Sequence, residues 1–265
     1  MTATASTYVF DDAWSDERVR IGSLEAMLDP GTAGLLDALG VGPGWRCLEV
    51  GAGAGSVARR LAERVGPGGH VLATDVQTAF LEPLASAVLE VRRHDVCADD
   101  PPGEDFDLVH VRWTLHWVAD RPEAVRRLLR CLRPGGWLLA EEPLCVSLVL
   151  GGDDAVVARV LGAALDLLAE LGGGMDPLYG QRMYADLAAA GAVDLASAGR
   201  THMLRGGDPA TGAAWLRFTV AKVRDALVER GAAPADVDHV LDRLDDPAFV
   251  TVAPTTMAVW GRRPA

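Results

Sequence analysis

The sequence predicts an α/β protein built on a doubly wound parallel sheet, and three observations lead there. Strand-like and helix-like segments alternate between positions 46 and 142. A glycine-rich turn, CLEVGAGAGS (47–56), closes the first apolar strand. Acids stand at or near the ends of successive strands, as Glu49, Asp75 and Asp95. Strands that alternate with helices imply βαβ units, and these place the strands parallel.

The elements follow in order. Residues 13–40 read as two helices, WSDERVRIGSLEAML and then PGTAGLLDALG from Pro30. RCLEV (46–50) is the first strand. A helix follows over 56–66, with Val57, Leu61 and Val65 one turn apart on a single stripe. Strands are predicted at 70–75, 89–95 and 106–111, then a helix over 122–136 that opens at a proline, then a strand at 137–142. Beyond the fifth strand come an apolar helix (153–172), another at 180–190 and a strand at 193–204. Helices near 209–230 and 234–244 and a final strand at 248–260 complete the chain. There is no internal repeat and no low-complexity linker.

Composition narrows the function classes. A chain of 265 residues holds one large core, or a main domain with a smaller cap. No apolar run approaches the ~20 residues of a membrane span. The first residues lack the basic end and apolar stretch of a secretion signal, so a cytoplasmic location is expected. A formal net charge of −12 disfavours nucleic acid as a partner. Cys47, Cys97, Cys131 and Cys145 are widely spaced and read as reduced thiols, with no metal site expected.

The glycine loop differs from a dinucleotide fingerprint, because Ser56 stands where that pattern wants Gly or Ala. Absent side chains at Gly51, Gly53 and Gly55 would let backbone approach a ligand; the plain alternative is a tight strand-to-helix turn. Asp75 lies where an acid accepts both hydroxyls of a ribose, or simply caps its strand. Asp95 could accept from an adenine amine while Val96 donates through its backbone. The alternative is a solvated acidic loop, HDVCADDPPGED (94–105).

Taken together, Glu49/Gly51/Gly53, Asp75, Asp95, FDLVH and LRPGGWLL resemble the class I S-adenosylmethionine-dependent methyltransferases in order and spacing, over residues 46–142. The opening YVFDDAWSDERVR is similar to the N-terminal lid segment of actinobacterial small-molecule methyltransferases. This resemblance implies a Rossmann-like seven-stranded sheet whose last strand, 248–260, is antiparallel. It divides the chain into an N-terminal helical lid (1–40), a cofactor-binding core (41–145), a helical insert capping the substrate (146–192) and the rest of the sheet (193–265). S-adenosylmethionine would lie across the carboxyl ends of the strands and leave as S-adenosylhomocysteine. Glu49 would serve near its methionine part, with the Arg112 backbone nearby, and Gly51, Ala52 and Gly53 would be cofactor-binding positions of the turn. Asp75 would serve the ribose, with Val76 beside it as a further cofactor-binding position, and Asp95 and Val96 the adenine.

For chemistry, the resemblance points to His116, since a histidine with an ordinary pKa near ~6.5 can take a proton from an attacking N–H or O–H. Its alternative is a ring packed between Trp113 and Trp117. His110, inside the fourth strand, reads as a core residue. Tyr8, Phe10 and Trp14 are candidates to close over the cofactor, and Trp113, Glu142, Tyr179 and Tyr184 to wall a substrate. Of Glu141 and Glu142, at most one should face inward, because side chains alternate along a strand. Arg112 occupies a position where metal-dependent relatives carry acids, and the motifs of DNA and protein-arginine methyltransferases are missing. The expected reaction is in-line methyl transfer to a small molecule, at N, O or an electron-rich ring carbon such as that of an indole. The enzyme is expected as a monomer or homodimer. The rivals are a protein of this fold that binds the cofactor without methylating, and a nicotinamide-dependent oxidoreductase.

Overall fold

A computed structural model describes residues 9–10, 15–150 and 154–265 of the chain. Tyr8 and Trp14 lie outside the described residues. The elements are α1 (Glu17–Ala38), β1 (Arg46–Val50), α2 (Ser56–Val65), β2 (His70–Asp75), β3 (Leu89–Arg93), β4 (Phe106–Arg112), α3 (Arg121–Cys131), β5 (Leu132–Leu144), α4 (Val146–Leu150) and α5 (Ala155–Leu171). They continue with α6 (Met183–Ala189), β6 (Val193–Arg200), β7 (Met203–Arg205), α7 (Ala213–Lys222), α8 (Arg224–Glu229), α9 (Pro234–Asp245), β8 (Val250–Val252) and β9 (Thr255–Arg262).

Seven strands form one sheet in the order β3-β2-β1-β4-β5-β9-β6. Every pairing from β3 to β5 is parallel, whereas β9 runs antiparallel to both β5 and β6. The strand order reverses between β1 and β4, and a crevice opens there at the carboxyl ends, where open α/β sheets bind ligands. The period of two decides which side chains share a face. Cys47, Leu108 and Leu139 pack toward α1 and α2, while Leu48, Val109 and Leu138 pack toward α3 and α6. Among the described residues, no helix is long and apolar enough to cross a membrane.

Several expected elements are corrected. Residues 17–38 form a single helix that runs through Pro30. Proline there deletes one backbone hydrogen bond, but Asp29 and Thr32 on either side are bonded to the sheet side of the molecule, which holds the turn. Helix α3 stops at Cys131 and β5 begins at Leu132, with Gly135 at φ +74° taking the turn within LRPGG. The predicted last strand is two pieces, because Pro254 has no N–H to give a ladder. Its first piece, β8, pairs only with β7 in a separate ribbon, so the predicted 193–204 strand divides as well.

The cap is also assembled differently. Of the 146–192 insert, α5 packs with α7, α8 and α9 in one apolar cluster above the carboxyl ends. Helix α6 and Tyr179 belong instead to the cluster beneath the sheet, beside α3. The carboxyl-end side of the sheet is therefore covered by α1, α5 and the C-terminal helices.

Candidate active site

Two cavities meet at the carboxyl ends of the strands. The larger, about 180 Å³, is lined by Glu49, Gly51, Ala52, Gly53, Asp75, Val76, Asp95, Val96 and Arg112, all of them positions singled out in the sequence. The smaller, about 80 Å³, holds His116 and Phe10 among largely apolar walls. Arg20, Leu24, Trp113 and Trp117 line both, so the two spaces share one boundary.

The glycine turn has φ of +67°, +57° and +87° at Gly51, Gly53 and Gly55. A side chain at Gly51 would strike Thr114, and one at Gly55 would strike Leu84 and Leu81. Only at Gly53 is the nearest obstacle distant, Ile21 at 3.6 Å. Packing within the protein thus requires the outer glycines, and the middle one presents bare backbone to the cavity. Asp75 closes the turn: its Oδ2 accepts from Gly53 N–H at 2.9 Å and its Oδ1 from Gln77 N–H at 3.1 Å. Burial pushes its carboxyl above the usual range, against those backbone bonds. A ligand hydroxyl bonded to Asp75 would therefore stabilise a carboxylate that burial disfavours. Asp95 is anchored by Cys97 N–H at 2.8 Å.

Glu49 carries the next layer. Its Cα partner across the sheet is His110, and both point to the α1 face. Glu49 Oε2 lies 2.6 Å from His110 Nδ1, and Glu141 Oε1 lies 3.0 Å from His110 Nε2. All three side chains are buried. Glu141 also accepts from Thr32 on α1 at 2.7 Å. Burial by itself lowers the His110 pKa, but the two carboxylates overturn this and raise it to about 9. Burial likewise tends to raise the Glu141 carboxyl, and the bond to His110 leads the effects that hold it low instead.

The Arg112 side chain is engaged within the protein. Its guanidinium donates to Thr32 at 2.8 Å and pairs with Asp29 at 2.9 Å, which joins β4 to α1. Glu25 of α1 accepts from Ser56 N–H at 3.1 Å, in the first turn of α2. Helix α1 is thereby fixed over the larger cavity.

On the opposite face, Glu142 is fully buried and serves the loop after β4. Its Oε1 accepts from the N–H groups of Thr114 and Leu115 at 3.0 and 2.7 Å, and its Oε2 from that of His116 at 3.2 Å. The same Oε2 lies 2.8 Å from His116 Nδ1. A carboxylate can only accept there, so Nδ1 carries a proton, and in the neutral ring Nε2 is the nitrogen left with a lone pair. Nε2 has no partner among the described residues, and the ring lines the smaller cavity. Trp113, which starts this loop, sits at φ +51°, a strained value for a bulky residue.

Glu141 and Glu142 are thus both buried, because both faces of the sheet are covered; neither is a free substrate contact. Tyr179 is buried below the sheet and Tyr184 is 46% exposed, and neither lines either cavity. Phe10 lies under the Arg20 guanidinium, 3.8 Å from the ring centroid, and edge-on to Trp117. Residues that sequence reasoning missed include Arg20 and Leu24 of α1 and Trp215, Leu216, Thr219 and Val220 of α7. Their four-residue spacing is the one signal that marked α7 as facing a common wall. Among the described residues, no group of three or more His, Cys, Asp or Glu could hold a metal ion.

The sheet order, the antiparallel β9 and the acid-and-glycine crevice define a Rossmann-like seven-stranded α/β fold. In keeping with this, residues 48–138 match the family described as "Methyltransferase domain". The chain is 31% identical over 115 residues to the ubiquinone/menaquinone biosynthesis C-methyltransferase UbiE of Vibrio vulnificus, an alignment that spans 40% of this chain and 44% of the relative. Phosphoethanolamine N-methyltransferase 2 of Haemonchus contortus, solved with S-adenosyl-L-methionine, superposes with a TM-score of 0.61 at 14% identity, covering 100% of this chain and 61% of that one. YcgJ of Bacillus subtilis gives 0.55 at 15%, covering 89% of this chain and 100% of the other.

Proposed function

We propose that the chain transfers a methyl group from S-adenosylmethionine to a small, largely apolar molecule through a nitrogen, an oxygen or an electron-rich ring carbon. The observation that carries this reading is the pair of adjoining cavities. One is lined by carboxylates and a bare glycine turn, the other is apolar, and Trp113 and Trp117 stand between them.

The residues fit the cofactor. Asp75 offers a buried carboxylate to a diol, Asp95 an acceptor to an amine, Glu49 a negative group to an ammonium, and Gly53 open backbone. When bound, the cofactor supplies an electrophilic methyl group on a sulfonium. The protein's contribution is to hold reactants in line in a space that excludes water, where orientation supplies much of the acceleration. Trp113 and Trp117 present aromatic faces, which favour a cation by ~0.5–2 kcal/mol. His116 takes a proton from the acceptor at Nε2 while Glu142 holds Nδ1–H, as a general base oriented by a carboxylate. UbiE is named a C-methyltransferase, which supports carbon as one acceptor atom, and the apolar second cavity supports a ring or chain substrate.

Calorimetric titration with S-adenosylmethionine, S-adenosylhomocysteine and NAD⁺ tests the reading. Binding of the first two without the third is expected, followed by label transfer to an apolar ring-bearing acceptor. Binding of NAD⁺ alone would overturn it. Cofactor binding with no transfer to any acceptor would favour a binding role for the same fold.

A further inference from the structure

His110 belongs to no reaction step, yet it is fully buried between two carboxylates. Both its ring nitrogens face acidic oxygens, at 2.6 and 3.0 Å. A neutral imidazole has one N–H and can donate to only one of them. Both contacts are satisfied together when the ring is an imidazolium. The charged groups around it are Glu49 on β1, Glu141 on β5, Arg112 further along β4, and Asp29 of α1, which pairs with Arg112. Glu25, also on α1, is engaged by Ser56 rather than by the ring.

One end of this arrangement is in the larger cavity, because Glu49 lines it. The other end is in the helix that covers that cavity. Glu141 accepts from Thr32, and Thr32 accepts from Arg112, which also holds Asp29. Arg20, Ile21, Leu24 and Glu25 of the same helix line the cavity. A single charged ring therefore links the carboxylate inside the cofactor space to the helix above it.

We propose that His110 is a positioning residue: as an imidazolium it fixes the Glu49 carboxylate toward the cofactor's ammonium end and, through Glu141 and Thr32, keeps α1 seated over the cavity. This rests on the cofactor reading above. Deprotonation of His110 breaks one of its two bonds, releases Glu49 or Glu141, and weakens cofactor binding. His116, with one nitrogen turned to the other cavity, is not part of this link.

The test combines two measurements on the full chain. Nitrogen-15 NMR of the histidine rings follows His110 from about pH 6 to about pH 10, and calorimetry follows the affinity for S-adenosylhomocysteine over the same range. The ligand's own amine titrates within that range too. The readout is therefore the difference between the unmodified protein and His110→Gln. Expected is a His110 titration well above the ordinary ~6.5, with affinity falling about tenfold more across it in the unmodified protein than in the variant. Should His110→Gln not fold, Glu141→Gln removes one carboxylate and is expected to move the NMR titration and the binding midpoint to lower pH together.

A ring that titrates near ~6.5, an affinity profile identical in His110→Gln, or a binding midpoint unmoved in Glu141→Gln would each overturn the positioning role alone. Failure of the unmodified protein to bind S-adenosylhomocysteine at any pH would overturn the cofactor reading, and this role with it.

Discussion

The two cavities are each flanked by a buried histidine held by glutamate, and the two rings are held differently. On the cofactor side, His110 is enclosed, with a carboxylate on each ring nitrogen. Beside the smaller cavity, Glu142 holds only Nδ1 of His116, Nε2 has no partner among the described residues, and the ring lies among largely apolar walls. A ring with both nitrogens bound is a fixed charge. In the function proposed above, a ring with one nitrogen held by a carboxylate serves as an oriented base. The residue types are the same in both places, and the difference lies in how many carboxylates the sheet brings within reach.

The largest effect expected from breaking this contrast is on turnover. His116→Ala should lower it roughly 10²–10⁴-fold, the usual contribution of general-base catalysis, with S-adenosylmethionine affinity unchanged in calorimetry. Full activity would remove His116 from the chemistry. Asp75→Ala acts on the other half: two charge-assisted bonds to a ribose are lost, and affinity for the cofactor should fall roughly 100-fold. An unchanged dissociation constant would sink the ribose assignment.

A pH series separates the two histidines through stability. The folded His110 pKa, about 9, lies above its unfolded value of about 6.5. The protonated ring therefore stabilises the fold fully below about pH 6.5 and loses that contribution as pH rises through about 9, on the order of 1–3 kcal/mol. Thermal unfolding should show this decline in the unmodified protein and in His116→Ala, and a flatter profile in His110→Gln. The smallest effect is expected at Tyr184, half exposed and outside both cavities. Tyr184→Ala should change stability by no more than about 0.5 kcal/mol and leave turnover intact; a large loss of turnover would return it to the substrate wall.

Much of the cofactor half was legible in the sequence, because its residues are local to strand ends. Glu49, Gly53, Asp75 and Asp95 each lie at or near the end of a predicted strand, and a parallel sheet delivers all such ends to one edge. The acceptor half was not legible in the same way. Its walls come from α1, α5 and α7, amphipathic helices whose pattern announces a buried face without naming what it is buried against. Tyr184 shows the converse: an aromatic residue in the insert looked like a substrate wall, yet α6 packs under the sheet. His110 lay between these cases. Its parity with Glu49 and Glu141 was present in the sequence, but their contact depended on the strand register.

The sequence by itself determined the sheet, the glycine turn and the acids beside it, because strand periodicity and backbone conformation at glycine are properties of short segments. Tertiary structure alone decided that Pro30 would be carried inside one helix, that Glu141 and Glu142 would both be buried on opposite faces, and that one histidine would receive two carboxylates while the other received one. Those outcomes depend on strand neighbours and on helices that return from distant parts of the chain, and a local pattern of residue types does not encode such distances.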